Sequence, residues 1–464
     1  MNVKESSPEK HVAVLAFPFG SHPLSLWNLV CKLAQASPTV HFSFLNTGKS
    51  NSSLFTTAKA DVPHNTKAYD VTDGMPEGHV LSRNPLEAVD LFLKVSPENF
   101  KRGIDVAVEE TGMRISCLIS DGFLTFAANV AEDMHVPWIP VWSPLPCSLS
   151  AHIYTELIRH HFVSSKAGAG LEVEDATLEF VPGLSQMRVS DLPEELLSRN
   201  LEGESLFSRT LSQIGLVLPR ASAVVLNSYE ELNPPLLSCD LKLKFQNVLN
   251  VGFHTLPLPM SLPSGGSDLT GCLSWLDGQK ERSVAYVSFG TAASPPPNEL
   301  IAIAEALEAS GIPFLWSLKD DLKDLLPKGF VEKPGMKGKM VPWAPQLQVL
   351  KHASITVFVT HGGSNSVFES IAYGVPMICR PFFGDHHMTS RMVEEVWGIG
   401  VKVAGGILTK SELLKSLELV LGHDKGKEMR DKAQALKHTV QEAASPDGTA
   451  AKDFSYLVEL ISVS

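Results

Sequence analysis

No basic excess, no membrane-length apolar run and no paired-cysteine motif occurs in these 464 residues. The formal net charge is −12. That argues against nucleic acid as a partner and against an anionic membrane surface, since both demand a basic face. Any phosphate held here must be bound locally, by backbone amides and a few side chains. The longest apolar stretches are broken by Pro or Gly well short of the ~20 residues a bilayer-spanning helix requires. The N-terminus, MNVKESSPEK, lacks the apolar core of a secretion signal. Cysteines 31, 117, 147, 239, 272 and 379 form no CxxC pair and no zinc-type cluster. Several, such as Cys117, lie inside apolar runs, which points to buried free thiols in a reducing, cytoplasmic compartment.

Three common signatures are also missing. There is no GxGxxG after a leading strand and no GxxxxGK[ST], so dinucleotide and P-loop readings are weak. The run GGSNS is not the GxSxG elbow, because Ser366 stands where the second glycine belongs.

What is present is a series of short β-rich runs alternating with helical stretches. HVAVLAFPF (11–19), VHFSFLN (40–46), CLISDG (117–122) and PWIPVWS (137–143) read as buried parallel strands, apolar on both faces. AVVLNSY (223–229) closes this first series. A second comprises SVAYVSF (283–289), PFLWSL (313–318), ITVFVTH (355–361) and PMICRPF (376–382). Between them run amphipathic helices. Leu300, Ile303, Ala304 and Leu307 fall at helical spacing behind a triple proline, and Thr409-x-x-Glu412 is a capping box. The tract TLPLPMSLPSGGSD (255–268) separates the two series as a linker. The expectation is two Rossmann-like α/β domains facing across a cleft: 1–250, a linker at 251–270, 271–445, and a C-terminal helix at 446–464 that docks on the N-terminal domain.

Ligands of open α/β sheets sit beyond the carboxyl ends of the strands. Three places there carry chemistry. After the first strand, Gly20 and Ser21 turn the chain into a helix that starts at His22-Pro23. A carboxylate from a neighbouring strand end, Asp121, would fix the imidazole tautomer and support the cation formed on proton uptake, while the helix N-terminus keeps the resting ring neutral. The residues alone leave this reading level with a simpler one, in which each only caps a helix. In VFVTHGGSNSVFES (357–370), two glycines and small hydroxyls open a helix, which favours phosphate over a plain strand–turn–helix. The third is FGDHH (383–387). Adjacent side chains diverge, so Asp385, His386 and His387 make a poor chelate, and groups lining a cleft or a solvated loop remain the alternatives.

Together these residues resemble the plant family-1 UDP-sugar-dependent glycosyltransferases. The stretch WAPQLQVLKHASITVFVTHGGSNSVFESIAYGVPMICRPFFGDHH matches that family's sugar-nucleotide box, whose 44 residues run from Trp343 to His386. HVAVLAFPFGSHPLSLWNLV, VTDGMPEGHV, FVPGLSQMRVSDLP, YVSFGT and MICRPFF look like its flavonoid 3-O-glycosyltransferase branch, so the likeness spans essentially the whole chain. The resemblance implies a GT-B fold. It implies that Trp343 stacks on uracil, Ala344 holds the base edge, Gln346 and Glu369 bind the ribose, and Thr291, His361, Asn365 and Ser366 hold the diphosphate. Ser21, Ser143, Ser364, Asp385 and His386 would meet the sugar. Phe19, Phe123, Trp142, His152 and Phe383 would line an apolar pocket for a planar aromatic acceptor. His22 becomes the general base and Asp121 its orienting partner, in an inverting displacement that uses no cofactor and no metal. The partners implied are a UDP-sugar and a flavonoid, with the protein monomeric and not membrane-inserted.

Three positions of the box depart from the family pattern, the mildest being Gly362 where Cys is frequent. Ser364 stands where Trp is usual, and His386 where glucosyltransferases carry Gln. A neutral imidazole offers one donor and one acceptor in a geometry unlike an amide's. These departures imply a donor other than glucose, with UDP-rhamnose ranked above UDP-galactose and UDP-glucose third. Other readings are a 3-O-glucosyltransferase, a transferase on another phenol or terpenoid, and a protein that binds a UDP-sugar without transferring it.

Overall fold

A computed structural model describes residues 10–463, apart from 58–61, 83, 85, 166–174, 198–204, 257–267, 291–293, 331–336 and 423. The expected linker falls largely outside the described residues. The chain divides into two compact units: Met1–Ser185 with Glu194–Pro259 and Ala443–Ser464, and Gln186–Pro193 with Met260–Glu442.

The first unit is built on seven strands: β1 (Lys10–Leu15), β2 (Val40–Thr47), β3 (Thr66–Val71), β4 (Cys117–Asp121), β5 (Trp138–Trp142), β6 (Val224–Leu226) and β7 (Val248–Asn250). They lie in the order β3-β2-β1-β4-β5-β6-β7, and every pair is parallel. β4 and β5 are buried at every residue, as strands covered on both faces must be. Val12, Val14, Phe42, Phe44 and Ile119 of the sheet pack with Trp27, Val30 and Leu33 of the helix His22–Ala36. Each such burial contributes roughly 1.5–3 kcal/mol relative to exposure. The helix Thr449–Val463 adds Leu457 and Ile461 to the same core, and its Asp453 accepts a 2.7 Å hydrogen bond from the Asn250 amide at the end of β7. AVVLNSY therefore does not close the sheet; β7 follows it.

The second unit repeats the plan with six strands: β8 (Val284–Ser288), β9 (Phe314–Ser317), β10 (Gly338–Val341), β11 (Ile355–Thr360), β12 (Met377–Cys379) and β13 (Gly400–Lys402). Their order is β10-β9-β8-β11-β12-β13, and all are parallel. Leu300, Ile303, Ala304 and Leu307 are buried on the helix Pro297–Ser310. Thr409 accepts the Glu412 amide at 3.1 Å, one half of the expected capping box. A buried ion pair ties this helix to the end of β12: the Arg380 Nε–H donates to Glu299 at 2.9 Å. No helix among the described residues is long and apolar enough to cross a membrane.

In each sheet the order reverses about a central pair, β1 beside β4 and β8 beside β11. Loops leaving those strands diverge, and the crevice they leave is where an open α/β sheet binds its ligand.

Candidate active site

At the first reversal the chain leaves β1 through Gly20, whose φ of +59° suits glycine. Pro23 then opens the helix His22–Ala36. This places His22 beside the end of β4. Its Nδ1 lies 2.8 Å from Asp121 Oδ2, and Asp121 Oδ1 accepts the Phe123 amide at 2.9 Å. The Asp121 side chain is 1% exposed and that of His22 16%. A buried carboxylate held on both oxygens thus orients a ring that solvent can reach. With Nδ1–H donated to Asp121, the lone pair lies on Nε2, the atom that would take a proton.

Aromatic side chains surround the imidazole. Phe17 meets it edge-on at 5.3 Å and Phe123 lies 4.7 Å away. Phe19 packs on Phe17 and Phe92, and Phe207 stacks on Phe17 at 6.1 Å. Phe19, Phe123 and Phe207 are half-buried. Trp142 differs from the expectation. It is 1% exposed, and its indole N–H is committed to Leu145 O and Ser148 Oγ, each at 3.2 Å. It backs Phe123 from within the core instead of offering a face to a ligand. His152 sits behind Trp142, buried, and burial pushes its pKa down to about 3, so the ring is neutral. Ser143 is buried, with no hydrogen-bond partner on its hydroxyl. Ser21 is exposed at the turn.

At the second reversal, β11 runs into His361-Gly362-Gly363 and then the helix Ser364–Tyr373. Gly362 has φ +77°, and a Cβ on Gly363 would lie 2.2 Å from the His361 ring, so both glycines are required by geometry. His361 Nδ1 is buried without a partner. Burial, then the neighbouring His386, pushes its pKa down to about 3. The two rings meet edge-on at 4.9 Å, and burial pushes His386 down to about 4. Both are neutral hydrogen-bonding groups, consistent with an anion held without a basic cluster. Asn365 and Ser366 occupy the first turn of the same helix.

Further along it, Glu369 is buried and accepts the Gln346 amide at 2.8 Å. Gln346 also donates to Ser366 Oγ at 3.0 Å and accepts from the Tyr286 hydroxyl at 3.3 Å. Burial raises the Glu369 carboxyl to about 7, against the opposing pull of Gln346. Trp343, three residues before Gln346, is 54% exposed, an open aromatic face, whereas Ala344 is buried. Ser364 Oγ donates to Asp385 Oδ2 at 3.1 Å. Asp385 precedes the helix His386–Arg391, and the exposed Phe383 packs on His386 at 4.8 Å.

His22, Asp121 and Phe123 thus meet at the first unit's reversal, and at the second's His361 meets His386, Ser364 meets Asp385, and Gln346 meets Ser366 and Glu369. Phe383 belongs to the second unit, as Trp343 does, and Phe19, Phe123, Trp142 and Phe207 belong to the first. Thr291 lies outside the described residues. Among those described, no three His, Cys, Asp or Glu side chains gather as a metal site would require. Sequence reasoning missed Phe207, Tyr286 and the buried Asp191–Arg391 pair. Asp191 and Tyr286 left a signal, since they lie within the runs FVPGLSQMRVSDLP and YVSFGT; Phe207 and Arg391 left none.

A family model described as "UDP-glucoronosyl and UDP-glucosyl transferase" matches residues 101–439. The flavonol 3-O-glucosyltransferase F3GT2 of Actinidia chinensis var. chinensis is 49% identical over 459 residues, covering 99% of this chain and 98% of the relative. The anthocyanidin 3-O-galactosyltransferase F3GT1 of the same plant is 49% identical over 462 residues, covering 99% of both chains. Among solved structures, a UDP-glucose: anthocyanidin 3-O-glucosyltransferase in complex with UDP aligns with a TM-score of 0.91 at 49% identity, covering 99% of this chain and 100% of that one.

Proposed function

Because the chain belongs to the plant family-1 flavonoid 3-O-glycosyltransferases, UDP-sugar-dependent enzymes of GT-B fold, we propose that it transfers galactose from UDP-galactose to the 3-hydroxyl of a flavonol with inversion. The observation that carries the chemistry is the 2.8 Å contact between His22 and buried Asp121. In the proposed step His22 Nε2 removes the acceptor's hydroxyl proton. That oxygen attacks the anomeric carbon, the bond from that carbon to the diphosphate oxygen breaks, and UDP departs from the opposite face. Asp121 stabilises the imidazolium that forms. His361, Asn365, Ser366 and Thr291 are assigned to the diphosphate, Trp343 and Ala344 to the base, and Gln346 and Glu369 to the ribose. Neutral donors pre-aimed at the leaving group supply the electrostatic stabilisation such a step needs. Phe19, Phe123 and Phe207 are assigned to the acceptor, as is Phe383 of the second unit.

The donor assignment rests on Asp385, His386 and Ser364. His386 Nδ1 is buried without a partner, a polar atom that a sugar hydroxyl would satisfy. Galactose differs from glucose only in the direction of one hydroxyl, and replacing an amide by an imidazole moves the groups that read it. The 6-deoxy sugar rhamnose has fewer hydroxyls to offer this polar set, and a galactosyltransferase stands among the relatives at 49% identity. We therefore place UDP-galactose above UDP-rhamnose, reversing the order read from sequence alone. A cytoplasmic, monomeric enzyme is part of the same proposal, with the buried Cys117, Cys272 and Cys379 as free thiols. Purified protein incubated with one flavonol and each UDP-sugar separately tests the donor, with NMR fixing the linkage and anomeric configuration. UDP-galactose should give the highest kcat/KM; a higher value with UDP-glucose or UDP-rhamnose overturns the assignment.

A further inference from the structure

The eight residues Gln186–Pro193 group with the second unit, although the chain on either side of them belongs to the first. They centre on Asp191, in a short 3-10 turn over Val189–Asp191. Asp191 is fully buried. Its Oδ2 accepts Arg391 Nε–H at 2.8 Å and the Arg188 amide at 3.0 Å, and its Oδ1 accepts Lys402 Nζ at 2.6 Å. Burial works against its charge, yet the bonds from Arg391 and Lys402 outweigh that and hold the carboxyl below its usual range.

Both cations are informative. Arg391 closes the α-helical stretch His386–Arg391, which runs on into the π-helical turn Met392–Val396; its first residue is a proposed sugar contact and it follows directly on another, Asp385. Lys402 ends β13. At the other end of that helix, Ser364 holds Asp385 and the Ser390 hydroxyl donates to the His386 carbonyl at 2.7 Å. Of these bonds, those from Asp191 and Ser364 come from outside the helix and so bear on its position; the Asp191 bond meets it five residues beyond His386 on the same continuous run. The proposed base, ribose and diphosphate contacts lie on other segments, before and within the helices Gln346–Lys351 and Ser364–Tyr373.

We propose that Asp191 is a positioning residue for the donor sugar: through Arg391 it fixes the helix carrying His386, and so sets recognition of the hexose while leaving UDP recognition to other segments. This rests on the donor-site reading above. Removing one partner of a buried pair leaves a charge uncompensated, and small displacements of a positioning element carry large kinetic effects.

The test compares wild type with Asp191→Asn and Asp191→Glu. Calorimetry gives Kd for UDP; kinetics with a flavonol give kcat and KM for UDP-galactose and UDP-glucose. Asp191→Asn should raise KM for the preferred sugar donor about tenfold and shift the galactose-to-glucose ratio of kcat/KM at least about threefold. UDP affinity should stay within about twofold, and Asp191→Glu should restore part of the ratio. Equal losses for UDP and UDP-sugar, or an unchanged ratio, overturn the proposal. If Asp191→Asn does not fold, Arg391→Lys gives the same readout, because it keeps the charge and loses the fixed guanidinium geometry. Failure of wild type to turn over any UDP-sugar would instead overturn the donor-site reading, and is visible before any variant is made.

Discussion

The two units have the same parallel strand order about their central pair, yet the residues at the two reversals do opposite things. At the first, a solvent-accessible histidine is bonded to a buried carboxylate, an arrangement suited to accepting a proton and bearing the charge. At the second, two half-buried histidines, each with a buried Nδ1 that has no partner, are driven neutral. On the proposed reading, the same residue type is a base in one place and a neutral hydrogen-bonding group in the other. Topology fixes where a ligand can sit; what stands beside each imidazole decides its chemistry.

The sharpest way to break this contrast is to remove one histidine. His22→Ala should lower kcat by about 10²–10⁴ and leave UDP affinity, measured by calorimetry, unchanged. Loss of UDP binding in that variant would mean that the first reversal is no separate proton site. A smaller effect is expected on the other side. Trp343→Ala should weaken UDP binding by about 1–3 kcal/mol, the usual worth of a base stacked on an aromatic ring, while Trp343→Phe keeps most of it. Unchanged UDP affinity in Trp343→Ala would remove the open indole from the nucleotide site.

The sequence disclosed these sites unevenly, for physical reasons. Nine strands were legible because they are central, apolar on both faces and nearly all buried. Those missed are β3, β7, β10 and β13, the edges of the two sheets. Edge strands are short or half-exposed: β3 alternates with exposed Lys67 and Asp70, and β13 is the three residues GVK. Their pattern is too brief or too polar to register as a run. His22, Asp121 and the box from Trp343 to His386 were legible because each is local to a strand end. Asp191–Arg391 was not, since the partners are 200 positions apart and nothing in either local sequence names the other. Trp142 was misjudged because composition does not reveal which side of a strand end faces the core.

The finest expected effect concerns Glu369, where the second reversal has a titrating group of its own. Its carboxyl is raised to about 7 by burial, against about 4.3 in an unfolded chain. A raised folded pKa contributes stability that is full below the unfolded value and lost as pH rises through the folded one. In the apoprotein, stability relative to Glu369→Gln should therefore decline between pH 4.3 and 7. UDP should act in the opposite sense. Ribose hydroxyls donate best to an ionised carboxylate, so binding near neutrality releases a proton and strengthens as pH rises. Kd for UDP should fall from pH 6 to pH 8 by up to about tenfold more in wild type than in Glu369→Gln. His361 and His386 are already neutral across that range and add no slope of their own. Identical pH profiles in the two proteins would show that the ribose does not meet this carboxylate, and the second reversal would then have no titrating group to set against His22.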